Sequence, residues 1–147
     1  MATIQLPLDF REFLKLLNAH DVQYLLVGGY AVNAFGYSRN TSDIDIWIGS
    51  DQANLERVLM AIREFGFSDI RSEMLDAPDA MLRMGVPPLR IEVLKKISGV
   101  AFSDCWTRRV MIGDADLQIP MISLEDLIAN KRAAGRKSDL LDVEELS

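Results

Sequence analysis

The run Asp43-Ile44-Asp45-Ile46-Trp47-Ile48 constrains this chain more than any other stretch. Its β-branched and aromatic residues belong in a buried strand, yet carboxylates stand at two alternate positions. Side chains alternate across a strand, so Asp43 and Asp45 share one face, and Ile44 and Ile46 point to the other, toward a core. Two carboxylates one pleat apart repel, and each is costly to bury unpartnered. A positive group belongs between them. An arginine or lysine would serve, and a divalent cation that takes hard oxygen ligands would serve better. The plainer alternative is that one aspartate caps a turn while the other is solvated at a strand end.

The preceding segment favours the cation. Val22–Gly29 reads as a short buried strand closed by the pair Gly28-Gly29, and Tyr30–Tyr37 as a helical segment ending near Gly36. Paired glycines at a strand-to-helix turn let backbone N–H groups approach an anion closely. A phosphate cradle beside a carboxylate pair suggests a metal–nucleotide site.

The remaining punctuation gives the architecture. Pro7–His20 carries a helical apolar stripe, with Asp9 favouring its first turn. A helix starting at Asp51 places Leu55, Val58, Leu59 and Ile62 on one face and stops near Gly66. Met81–Val86 and Leu89–Ile97 read as strands flanking a Pro87-Pro88 turn, and Arg108–Ile122 as a hairpin turning at Gly113-Asp114. Ser123, followed by Asp126, caps a helix that Gly135 ends, and Lys137–Leu146 forms a last short helix. The order α-β-α-β-α-β-β-β-β-α-α implies an α+β (mixed α/β) fold, a central mixed sheet flanked by helices, in a single domain over residues 1–147.

Composition narrows the function classes. With 147 residues, 49% hydrophobic and 26% charged, the chain has the balance of a soluble domain able to bury its own core. No apolar run is long enough for a bilayer span, and the N-terminus lacks the pattern of a secretory leader. A cytoplasmic location with no membrane role is the expectation. Cys105 is the sole cysteine, which excludes an internal disulfide and a CxxC metal site. It and the methionines read as core, and His20 as a helix-end residue. A net charge of −6 gives no overall attraction to nucleic acid, and the basic groups Arg108-Arg109 and Lys131, Arg132, Arg136, Lys137 read as solvated faces.

The strand ending in Gly-Gly, the helix and the Asp-x-Asp strand together resemble the nucleotidyltransferase superfamily that shares a core with DNA polymerase beta. The closer likeness is to small bacterial minimal-type and AbiEii-like nucleotidyltransferases. It rests on Arg39, Thr41, Asp43 and Asp45; on Glu92 within LRIEVLKKISG; and on Lys131, Arg136, Asp139 and Asp142 within LEDLIANKRAAGRKSDLLDV. It covers most of the chain. Glu92 stands where aspartate is common, and Gly29 where many members carry serine.

The resemblance implies transfer of a nucleoside monophosphate from an NTP to a hydroxyl on a protein, a tRNA or a small molecule. Asp43, Asp45 and Glu92 would be catalytic and would hold two Mg²⁺ ions, or Mn²⁺ in their place. Gly28, Gly29, Arg39, Thr41 and Lys131 would bind the nucleotide. It also implies an antitoxin-like protein partner in a toxin–antitoxin or defence pair. Relatives that modify antibiotics usually add a helical domain, which this length leaves little room for, so a homodimer would have to supply that wall. Each residue has a structural rival. Arg39 would pair with a surface carboxylate, Thr41 would start a strand, Glu92 would pair with Arg90 or Lys95, and Lys131 would be an exposed helix lysine. Arg136, Asp139 and Asp142 read as ties between the last two helices. The alternative function is a catalytically inactive nucleotide- or protein-binding module on the same fold.

Overall fold

A computed structural model describes residues 4–38, 40–86 and 88–147. Helix α1 (Leu8–Ala19) buries Phe10, Phe13, Leu14 and Leu17, the stripe its spacing requires. Strand β1 (Tyr24–Val27) is buried throughout and passes directly into α2 (Gly28–Ala34), which begins two residues earlier than the sequence suggests. Strand β2 (Asp43–Ile48) and helix α3 (Gln52–Phe65) follow, with Asp51 accepting from the Asn54 N–H as the N-cap and Gly66 closing the helix. Then come a short 3₁₀ turn (Ser72–Leu75), β3 (Met81–Met84), β4 (Arg90–Leu94), α4 (Phe102–Thr107), β5 (Val110–Gly113), β6 (Gln118–Met121), α5 (Leu124–Ala134) and α6 (Lys137–Leu146). The 3₁₀ turn and α4 are additions to the expected order. Both are too short to show a helical period.

The six strands form one mixed sheet in the order β3-β4-β2-β1-β6-β5. The β1/β2, β3/β4 and β5/β6 pairs are antiparallel, whereas β2/β4 and β1/β6 are parallel. The α+β architecture is therefore the one expected. Helices α1 and α3 pack against each other, and α3 turns Leu55, Val58, Leu59 and Ile62 inward. On β2, Ile44, Ile46 and Ile48 are fully buried.

On the other face of β2, Trp47 shares the side of Asp43 and Asp45 but is itself buried. Phe102 of α4 meets the Trp47 ring edge-on at 5.2 Å, and the indole N–H donates to the Lys95 carbonyl at 3.3 Å. Beyond Trp47, Asn54 closes the sheet end. Its amide donates to the carbonyls of Gln23 (3.0 Å) and Gly49 (2.8 Å) and accepts from the Gln23 N–H at 2.8 Å. One buried amide thus ties the start of β1 to the end of β2 and leaves the opposite end, where the aspartates stand, open.

Candidate active site

The register builds the site as a row across four strands. Val27 on β1 pairs with Asp45 on β2, Asp45 with Glu92 on β4, and Glu92 with Arg83 on β3. One row away, Asp43 pairs with Arg90. Neighbours in a register share a face, so three acids and two arginines from three strands project to one side.

The charges there are unevenly matched. Arg90 donates to Asp43 at 2.8 Å and lies 3.7 Å from Glu92, and Arg83 donates to Glu92 at 3.1 Å. The Asp43 carboxylate, by hydrogen bond and by charge, in turn raises the affinity of Arg90 for its proton. The arginine foreseen between the aspartates is therefore present, but it is drawn to one side. Asp45 has no such partner. Its Oδ1 is buried with nothing to bond, and the Arg90 Nε is likewise buried and unmatched. Burial, then a hydrogen bond with Glu92, then the charges of Glu92 and Asp43 push the Asp45 carboxyl up to about 7, against a lowering by Lys131. Near neutrality the Asp45 carboxyl thus keeps part of its proton, which a cation would displace.

Among the described residues, no three His, Cys, Asp or Glu side chains converge closely enough to enclose a metal ion. Asp43 is held instead by Arg90. An orphaned buried carboxylate oxygen beside a second carboxylate is nevertheless the donor set that a hard divalent cation takes. The residues fit such an ion, with Asp45 and Glu92 as its first ligands and Asp43 available once Arg90 yields it.

Gly28 and Gly29 owe their identity to these side chains. Gly28 has φ +72°, and a Cβ there would fall on the Asp45 carboxylate. A Cβ at Gly29 would come within 2.6 Å of the Thr41 Oγ1. Thr41 precedes β2 rather than starting it, and its hydroxyl donates to the Asp43 carbonyl at 3.2 Å. The threonine hydroxyl therefore occupies the space that a side chain at position 29 would need. Arg39 lies outside the described residues.

Lys131 is not an exposed helix lysine. It is 7% exposed, and its Nζ lies 3.3 Å from both Asp139 and Asp142 of α6. Asp139 also accepts from the Arg136 Nε at 2.7 Å and from the Arg136 N–H at 3.2 Å. Burial raises the Asp139 carboxyl, but the Arg136 hydrogen bond and the Lys131 charge outweigh it and hold it low. These residues tie α5 to α6, as their spacing suggests. Lys131 and Arg136 also line two adjoining clefts, together with Gly28, Asp45 and Glu92. One cleft, about 280 Å³, continues past Asn40, Thr41, Ser42 and Asp43. The other, about 370 Å³, continues past Met81, Leu94, Ile97, Ser98 and Asn130.

Other expectations resolve away from the clefts. His20 closes α1 and its Nε2 lies 3.1 Å from Glu64 of α3. Cys105 is buried in α4, and burial first, then Asp126, pushes its thiol up to about 11. Arg108 grips Asp126 through two 3.0 Å hydrogen bonds, and Arg109 lies 4.0 Å over the Trp106 ring. Lys95 donates to the Leu75 carbonyl at 2.7 Å and is no partner of Glu92. Arg83 and the double role of Arg90 escaped the sequence. The only signal for Arg83 was a charge on the same strand face as Glu92, legible once the register is known.

No functionally curated protein matches in sequence. Solved structures are similar in fold. The Thermotoga maritima protein TM1012, whose nucleotidyltransferase assignment is provisional, superposes with a TM-score of 0.62 at 16% identity over 93% of this chain and 87% of its own. The lincosamide antibiotic adenylyltransferase LnuA, in its lincomycin-bound form, gives 0.58 at 16% identity over 98% of each chain. An antigenic nucleotidyltransferase-like protein from Paracoccidioides brasiliensis gives 0.56 at 13% identity, over 98% of this chain and 77% of its own. Residues 7–147 match the family described as "Nucleotidyl transferase of unknown function (DUF2204)". With that match over nearly its whole length, the chain belongs to this family of nucleotidyl transferases.

Proposed function

We propose that the protein transfers a nucleoside monophosphate from an NTP to a hydroxyl of a small molecule, with a divalent cation held at Asp45 and Glu92 and completed by Asp43. The observation that carries this reading is the buried, unmatched Oδ1 of Asp45 beside Glu92 where the two clefts meet. The cleft past Thr41 and Ser42 is almost wholly polar and suits a triphosphate, with the Gly28-Gly29 backbone on one wall and Lys131 on another. The cleft past Met81, Leu94 and Ile97 mixes apolar and polar walls, as a small amphiphilic acceptor needs.

The acceptor hydroxyl attacks the α-phosphorus, the bond to the bridging oxygen breaks, and pyrophosphate leaves. Glu92, which borders both clefts, is placed to take the hydroxyl proton. Lys131 offsets phosphate charge from the far wall, and Thr41 sets the start of β2 so that Asp43 faces the cleft. A bound cation would supply charge neutralisation of the triphosphate and a lowered acceptor pKa.

LnuA bears on chain length. Its match spans 98% of both chains, so an antibiotic adenylyltransferase need not add a helical domain. This supports a small-molecule acceptor for a chain of this length. The test incubates the protein with Mg²⁺, each α-phosphate-labelled NTP and a panel of hydroxylated small molecules, lincomycin among them, with total tRNA and protein lysate as competing acceptors. Asp45→Asn and Glu92→Gln serve as controls. Label on a small molecule with wild type alone is the expected result. Label on RNA or protein would move the acceptor class. Neither transfer nor Mg-NTP binding in a folded protein would favour an inactive binding module.

A further inference from the structure

Helix α6 has two working faces. Its inner face carries Asp139 and Asp142, both buried against Lys131. Its outer face carries Lys137, Leu140, Leu141 and Glu144, which border a shallow concavity. That spacing of three, four and seven residues lines one stripe of a helix. Leu140 is 50% exposed and Leu141 57% exposed. Among the described residues, neither Lys137 nor Glu144 has an ion-pair partner within the chain.

The stripe is self-complementary. Its two leucines are central, with the cation one turn to the N-terminal side and the anion one turn to the C-terminal side. Laid antiparallel against a copy of itself, it brings four leucines together at a two-fold axis. Lys137 of each copy then lies opposite Glu144 of the other. A parallel arrangement would instead set lysine on lysine and glutamate on glutamate. An isologous interface demands this kind of self-matching pattern, and the paired charges fix its direction.

We propose that α6 is the contact through which two copies of this chain pair antiparallel about a two-fold axis. An interface confined to a ten-residue helix sits at the small end of the range for specific association, so the dimer is weak and reversible. The opposite face of the same helix holds Lys131 in the cleft wall. Pairing therefore braces the element on which that wall rests, without placing a residue of one copy in the cleft of the other.

Sedimentation velocity on the whole chain, from about 5 µM to about 500 µM, reads the association directly. A reversible monomer–dimer equilibrium is expected, abolished by Leu141→Glu with unchanged circular dichroism and melting temperature. Lys137→Glu alone and Glu144→Lys alone should each weaken the dimer about tenfold, because both ion pairs become like-charge contacts. The double variant Lys137→Glu/Glu144→Lys should recover wild-type affinity. A monomer at every concentration would overturn the proposal, as would a dimer indifferent to Leu141→Glu. Failure of the double variant to recover would overturn the antiparallel register. None of these readouts depends on nucleotide transfer.

Discussion

Arg90 sits one strand from Asp43 in perfect register and reaches its carboxylate at 2.8 Å, placing a fixed positive charge where a nucleotidyl transferase wants a removable one. The two cannot both satisfy Asp43. Replacing Arg90 by Gln should therefore tighten Mn²⁺ binding several-fold in calorimetry, since the ion no longer displaces a guanidinium. It should also lower the metal-free melting temperature, because Asp43, Asp45 and Glu92 lose their shared counter-charge. Unchanged Mn²⁺ affinity would place the ion away from Asp43.

Asp45 should make stability fall with rising pH when divalent ions are chelated. Its folded value of about 7 lies above the 3.8 of an ordinary aspartate. Between those values the native state keeps a proton that the unfolded chain has lost. The native advantage is complete below the lower value and disappears as pH rises through the upper one. The swing is on the order of 2–4 kcal/mol. Urea unfolding in EDTA at several pH values should show the slope in wild type and its loss in Asp45→Asn. That variant should be the more stable protein at alkaline pH, while transfer activity disappears.

At the glycine pair, crowding and not chain flexibility alone decides what is tolerated. Gly28→Ala places a methyl group on the Asp45 carboxylate at a left-handed φ, and should cost about 2 kcal/mol or more along with activity. Gly29→Ala meets the Thr41 side chain, its hydroxyl at 2.6 Å and its Cβ at 3.0 Å. Adding Thr41→Gly should recover much of the stability lost by Gly29→Ala, giving a clear coupling in a double-mutant cycle.

Asn54→Ala should destabilise by about 1–3 kcal/mol, because it strips the Gln23 N–H and the buried Gly49 carbonyl of their partner, while the Gln23 carbonyl keeps the Gly49 N–H. Amide exchange at the β1–β2 end farthest from Asp45 should accelerate first.

The residues that the sequence disclosed are those whose neighbours along the chain explain them. Asp43 and Asp45 stood out because alternate carboxylates contradict an apolar strand, and Ser123, Asp51 and Gly135 because caps are local devices. Pairings between strands were hidden. Nothing near Arg90 in sequence says that it faces Asp43, and the spacing of Gly28 did not reveal that Asp45 fills the space of its missing side chain. Lys131 shows the limit from another side. Its position on the same helix face as buried Leu127 was visible, but a lysine there reads as exposed until the two aspartates of α6 are folded against it.

The join between β2 and β4 has a consequence for how the protein acquires activity. Asp45 meets its β1 neighbour across one short helix, a nearly local closure, but Glu92 reaches Asp45 only after α3 and β3 have been threaded. Contacts of such high sequence separation form against a large loop-closure entropy and tend to be slow. The acids of the cleft thus meet only once β2 and β4 have joined, and a chain emerging from the ribosome holds its aspartates before their glutamate. The raised carboxyl of Asp45 is therefore a reporter of that closure, since its neighbour Glu92 arrives only with β4.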